Sequence, residues 1–180
     1  MKLNPWEYDI NNPEFEQDKQ TYELLSSGKT NGVFQVESAG MKDLMVRLQP
    51  KNLHDVAAVV SLYRPDSMGA LEEYIEIATG KKEPEYIHKD MIPILGRTNG
   101  CLLYQEQLLD IVRTFGGRTY GQADLFRRGI GKKDKELVKQ KSHKGRQENM
   151  HKGYSDDTTS KITDNMSDEG GYIFNQTHGY

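Results

Sequence analysis

With 180 residues, 35% of them apolar, and a mean hydropathy of -0.80, the chain has material for one modest core, as a single domain or a piece of a larger one. A net charge of -3 excludes a generic polyanion binder, and the single cysteine, Cys101, excludes an intrachain disulfide. No apolar run approaches the roughly 18 residues of a membrane span, and the first residues lack the apolar stretch of a secretory signal, so the expectation is a cytoplasmic protein.

Residues 1–14 are polar, carry Pro5 and Pro13, and read as an extended lead-in. Phe15, Tyr22 and Leu25 lie near helical spacing and predict a helix that ends before Ser26-Ser27-Gly28. Gly32-Val33-Phe34-Gln35-Val36 alternates and predicts a short strand. Ser38 can cap a helix to about Leu48, with Met41, Leu44, Met45 and Leu48 on one face, and Pro50 stops it. Asn52 can cap the next, a nearly all-apolar helix to Leu62 that belongs in the core. Arg64 precedes Pro65 and is pushed out of the helical region, so it is expected at a helix terminus. A helix over Gly69–Ala78 and a short helical turn over Asp90–Leu95 follow, and Cys101 is expected in the core. Leu103 to Phe115 is amphipathic and Gly116-Gly117 terminates it. Helices are expected at Tyr120–Arg128 and Lys133–Met150, a polar loop at Gly153–Thr159, and a weak helix at Ser160–Glu169. The class is mainly α, an irregular helical bundle with few short strands that could set several helix ends along a groove.

Charge is unevenly placed. Arg127 to Arg146 holds nine Lys/Arg against two acids, a local charge of +7, whereas residues 1–23 carry -4. Within this stripe Arg127-Arg128-Gly129-Ile130-Gly131-Lys132-Lys133 puts four cations and two glycines in seven residues. Arginine forks fit phosphate oxygens bidentately, lysine adds a point charge, and glycine lets the backbone approach a ligand. A triphosphate or a nucleic-acid backbone suits that chemistry. On its own, such a cluster is more often a solvated basic helix end. Tyr104, Tyr120 and Tyr172 could stack on bases, although on their own each reads more simply as a core or interface tyrosine. His143 and His151 are eight apart and have no cysteine or carboxylate pair at zinc spacing. Tyr154-Ser155-Asp156-Asp157 looks like the Tyr-x-Asp-Asp of reverse transcriptases but has no strand on either side, and reads as a polar loop with Asp157 or Thr158 as a helix cap.

Five strings, taken in order, resemble one family. Gly32-Val33-Phe34-Gln35-Val36-Glu37-Ser38-Ala39-Gly40-Met41-Lys42 is similar to the GVFQ-ES-GM segment of the bacterial replicative DNA polymerase III alpha subunits, the C-family polymerases. Ala58 to Pro65 resembles their AL-YRPG segment, Tyr104-Gln105-Glu106-Gln107 their YQEQ, Ala123 to Lys133 their ADLLRRAMGKK, and Phe174-Asn175-Gln176-Thr177-His178 their FNKSH. The strings cover roughly Thr30 to Tyr180, which divides the chain into a diverged lead-in over 1–29 and a fingers-like domain over 30–180.

The resemblance implies a helical fingers region that closes over an incoming deoxynucleoside triphosphate (dNTP) and grips the primer–template DNA. Arg127, Arg128, Lys132 and Lys133 would then face triphosphate or DNA phosphates. Arg64 falls on the arginine of the family's Arg-Pro turn, Tyr104 and Gln105 on its Tyr-Gln pair, as stacking or supporting groups, and Asn175 and His178 on the Asn and His near the nucleotide pocket. Asp66 stands where the family has glycine, Gln176 replaces a lysine, Thr177 replaces a serine, and Asn99-Gly100-Cys101 replaces a Tyr-Gly pair and its apolar successor. These departures mark a diverged member, of phage or plasmid type.

Two-metal phosphoryl transfer needs clustered carboxylates. The family carries them as an Asp-x-Asp pair and a further aspartate in an upstream palm, and this chain has no Asp-x-Asp. The expectation is therefore no catalytic residue, metal or cofactor within the chain. It would be a fingers fragment inactive alone, with magnesium held by the palm of the parent polymerase and with DNA, dNTP and other polymerase segments as partners. The alternative is a stand-alone fingers-like protein that docks on or regulates a host replicative polymerase.

Overall fold

Short polar side chains start the first helices. In the computed structural model, which describes residues 18–131, 153–169 and 173–175, the Asp18 carboxylate accepts from the Gln20 and Thr21 amides and opens α1 (Lys19–Ser26). Ser38 Oγ accepts from the Met41 amide at the head of α2 (Ala39–Leu48), and Asn52 Oδ1 from the Asp55 amide at the head of α3 (Leu53–Leu62). Each satisfies an amide that a helix start leaves without a partner, an effect worth about 1 kcal/mol. Arg64 is extended, at φ -146° and ψ 150°, as the residue before proline should be. Pro65 opens a 3-10 turn (Pro65–Ser67) that runs into α4 (Met68–Ala78).

A 3-10 turn at Lys89–Met91 leads to α5 (Ile92–Leu95). A non-helical segment, 101–104, with Tyr104 extended, then enters α6 (Gln105–Gly116). Gly117 ends α6 at φ 61°, a left-handed turn that glycine adopts freely, and its amide donates to the Arg113 carbonyl. Thr119 and Gln122 form a reciprocal capping box at the start of α7 (Tyr120–Gly131). The last described helix is α8 (Asp156–Glu169).

The architecture is mainly α, as expected. The anticipated strand at 32–36 is instead a run of turns. Val36 donates to the Val33 carbonyl, Val33 to that of Thr30, and both Gly32 (φ 83°) and Gln35 (φ 62°) leave the extended region. Among the described residues the only β pairing is an isolated parallel bridge between Tyr104 and Phe174. The expected helix over Lys133–Met150 lies outside the described residues, as do Lys132, Lys133, Tyr172 and His178.

Apolar side chains gather in two adjoining cores. The first joins Leu25, Met41, Leu44, Met45, Leu48, Val59, Leu62, Leu71 and Tyr74 from α1–α4 to Cys101, Leu103 and Tyr104. The second joins Leu95, Leu108, Ile111, Val112, Phe115, Phe126, Ile162 and Met166 from α5–α8 to Leu102. The 101–104 segment thus belongs to both. Leu102 packs in the second core, while Cys101, Leu103 and Tyr104 pack in the first. Its position explains why the buried Gln107 matters. Gln107 Oε1 accepts from the Leu103 and Tyr104 amides at 3.0 and 2.9 Å, and Nε2 donates to the Ile94 carbonyl at 3.3 Å and Thr98 Oγ1 at 2.7 Å.

Within the first core the Tyr74 hydroxyl on α4 donates to Asp55 Oδ1 on α3 at 3.0 Å. Burial, and then the Asp55 charge, push the Tyr74 phenol far above its ordinary value of 10.0. The folded protein keeps this phenol protonated where the unfolded chain ionises it. Stability is therefore unaffected by this group below pH 10 and falls as pH rises above it, by about 1.4 kcal/mol per pH unit. Urea titrations between about pH 9 and 11 should show that decline, and Tyr74→Phe should flatten it while costing about 1 kcal/mol at neutral pH.

Candidate nucleic-acid interface

Four of the sequence segments singled out above meet where the two cores join. Phe174 pairs with the 103–105 backbone: its amide donates to the Leu103 carbonyl at 2.8 Å and its carbonyl accepts from the Gln105 amide at 2.9 Å. The Arg64 guanidinium lies over the Phe174 ring, 4.6 Å from its centroid. On the other side, Arg127 Nη1 donates to Gln105 Oε1 at 3.1 Å. Arg127 also grips Asp124 Oδ1 through Nε and Nη2, at 2.9 and 2.8 Å, while Arg128 Nε takes Asp124 Oδ2 at 2.8 Å. The result is an unbroken line of contacts from Arg64 through Phe174, Gln105 and Arg127 to Asp124 and Arg128.

The local sequence explains the inner part. Asp124 stands three and four residues before the two arginines, the spacing that brings an acid and a base together on one helix face. Hydrogen bonds from Arg127, and then the charges of Arg127 and Arg128, hold the Asp124 carboxyl below its usual range. The clamp is therefore complete above pH 3.8 and opens only as pH falls below that value. At neutral pH the trio carries a net charge of +1. It presents two fixed guanidiniums, one partly buried and one exposed, with Arg127 27% and Arg128 65% accessible.

The structure thus brings together Arg64, Gln105, Arg127 and Arg128, with the exposed Asn175 next to Phe174 in the chain. Tyr104 is 2% exposed and part of the first core, so it supports this junction and offers no face for stacking. Two residues that sequence reasoning gave no role, Asp124 and Gln107, hold the others in place. Their signals were present: an acid one turn before an arginine pair, and an amide three residues after Tyr104, the residue that precedes α6.

Two of the matched strings also touch. A Cβ at Gly40 on α2 would overlap the Tyr63 hydroxyl and come within 2.9 Å of its ring carbon, so a larger residue there would displace the exposed side chain that precedes Arg64. The reverse-transcriptase look-alike is no hairpin. Ser155 Oγ accepts from the Thr158 amide at the head of α8, and Tyr154 packs against His88 and Phe115 while donating to Asp90. A cavity of about 310 Å³ between α4, the 99–103 segment and α8 contains none of these site residues. Among the described residues no three His, Cys, Asp or Glu side chains lie close enough to hold a metal ion, and no helix is long and apolar enough to cross a membrane.

The bacterial DNA polymerase III alpha subunit finger domain matches residues 5–154. The chain belongs to that family. It is 39% identical to the DNA polymerase III subunit alpha of Halalkalibacterium halodurans over 161 residues, 89% of this chain and 14% of that protein. It is 38% identical to the same subunit of Rickettsia conorii over 178 residues, 99% of this chain and 15% of that protein. The Aquifex aeolicus subunit is likewise 38% identical, over 163 residues. This fingers chain therefore spans about a seventh of the length of these relatives, and its mainly helical architecture is the fold that carries the arginine line.

Proposed function

We propose that this chain is the fingers segment of a cytoplasmic DNA-directed DNA polymerase, binding the phosphates of an incoming dNTP and of the primer–template during replication. The observation that supports this most is the arginine line. Arg127 and Arg128 are fixed by Asp124 and Gln105 before any ligand arrives, and Arg64 is fixed by Phe174. Cations held in place need no reorganisation when negative charge approaches or spreads over a transferring phosphoryl group. Lys132, Lys133 and His178 are assigned to the same phosphates by their place in the matched strings.

The chain has no Asp-x-Asp pair, and the reading assigns the two divalent ions of nucleotidyl transfer to another polymerase segment and leaves this chain inactive by itself. Equilibrium binding of the full chain to a labelled primer–template tests the proposal. Two duplex phosphates neutralised by the arginine pair give a log K against log salt slope of about -1.8, an affinity loss of roughly tenfold between about 50 and 200 mM salt. Binding that ignores salt, or no binding at all, would sink it.

A further inference from the structure

At the turn between α6 and α7 the Arg113 guanidinium lies over the Tyr120 ring, 3.6 Å from its centroid. Arg113 also donates to Asp110 at 3.2 Å, so the cation of the stack is held. Tyr120 is nevertheless 60% exposed. One ring face is covered by a cation while most of the side chain remains open to solvent. An arginine under one face of an exposed aromatic ring, in a cationic setting, is an arrangement suited to receiving a nucleobase on the other.

The position of Tyr120 says which kind of nucleobase. Tyr120, Asp124, Arg127 and Arg128 are spaced i, i+4, i+7 and i+8 and share one stripe of α7. The rise of a helix places Tyr120 about 10–12 Å along the axis from the two arginines. Arg113 lies beneath the ring, and Arg118 stands two residues before α7 in the sequence. A strand whose base stacks on Tyr120 carries further phosphates along that span to the two arginines.

We propose that Tyr120, backed by Arg113, is a stacking site for an unpaired base of a DNA strand, and that the strand's phosphates run along α7 toward Arg127 and Arg128. The inference rests on the reading that Arg127 and Arg128 face phosphates, and it adds the contact that distinguishes single-stranded from duplex DNA. A stacked base contributes enough that its loss weakens binding on the order of tenfold.

Fluorescence anisotropy with the full chain tests it on three probes: a labelled duplex with a single-stranded overhang, the same duplex blunt-ended, and dATP as competitor. Tyr120→Leu keeps apolar bulk and removes the π face, and Tyr120→Trp keeps the face. The overhang duplex should bind Tyr120→Leu roughly tenfold more weakly, with blunt-duplex and dATP affinities unchanged and Tyr120→Trp near wild type. A 2-aminopurine in the overhang should be quenched by wild type and not by Tyr120→Leu. Equal affinity of wild type and Tyr120→Leu for the overhang, or an equal loss on overhang and blunt duplex, overturns the stacking site and leaves the fingers reading intact. A loss confined to dATP overturns the strand assignment. Failure of wild type to bind any of the three removes the fingers reading and this inference with it.

Discussion

Gln107→Ala is expected to destabilise the protein by about 3 kcal/mol, since two buried backbone amides lose their acceptor at about 1–3 kcal/mol each. The Gln107 side chain makes four hydrogen bonds, two accepted from the Leu103 and Tyr104 amides and two donated to Ile94 and Thr98. Leu103 and Tyr104 are almost fully buried, so their two amides lie away from bulk solvent. Gln107→Glu keeps the acceptor oxygen but loses both donors and buries a charge, so it should fall in the same range. Urea denaturation measures the effect: with a slope of about 2 kcal/mol/M the midpoint falls by about 1.5 M. The consequence should reach beyond stability. Phe174 hangs on the Leu103 carbonyl and Gln105 amide of this same segment, and Arg64 stacks on Phe174. At a temperature where Gln107→Ala is still folded, DNA affinity should drop as well. A variant that melts like wild type would show that the 101–104 segment is held by its apolar contacts alone.

Much of the helical frame is legible in the sequence because its signals are local. Ser38 and Asn52 cap the helices they were expected to cap, Pro50 and Pro65 sit at boundaries, and the glycine pair at 116–117 closes α6. The misreadings are also local but involve competing signals. The alternation of residues 32–36 suggests a strand, yet Gly32 and Gln35 take positive φ, and bonds from Gly32 to Glu37 and from Thr30 to Val36 fold the stretch into turns. The start of α8 was expected at Ser160 and lies at Asp156, because the Ser155 hydroxyl caps the helix and two acids in its first turn suit the positive end of the helix dipole. What no local pattern contains is the junction. Arg64 and Phe174 are 110 residues apart in sequence, and their stacking depends on a segment shared by two cores. The family resemblance selected Arg64, Gln105, Arg127, Arg128 and Asn175 one by one. Only the fold shows that Phe174 and Asp124 connect most of them.

The paired variants of that cluster make the sharpest test, because two changes one turn apart should move DNA affinity in opposite directions. Arg127→Ala with Arg128→Ala removes two guanidiniums and leaves Asp124 facing the approaching phosphates with no partner. Charged hydrogen bonds contribute about 1.5–3 kcal/mol each, so primer–template affinity should fall on the order of a hundredfold. The magnitude of the salt slope should fall by about 1.8. Asp124→Asn does the reverse to the local field. Asp124 Oδ1 and Oδ2 lie 2.8 Å from Arg127 Nη2 and Arg128 Nε, so neutralising it raises the charge of the trio from +1 to +2. An asparagine oxygen can still accept from Arg127, which keeps that guanidinium near Gln105. Duplex DNA should therefore bind Asp124→Asn more tightly at low salt, with a steeper salt dependence, and the gain should fade as ionic strength rises and screens the exposed Arg128. If Asp124→Asn instead weakens binding as the double arginine change does, the carboxylate acts chiefly by aiming the guanidiniums. If both variants bind like wild type, the phosphates lie elsewhere on the molecule.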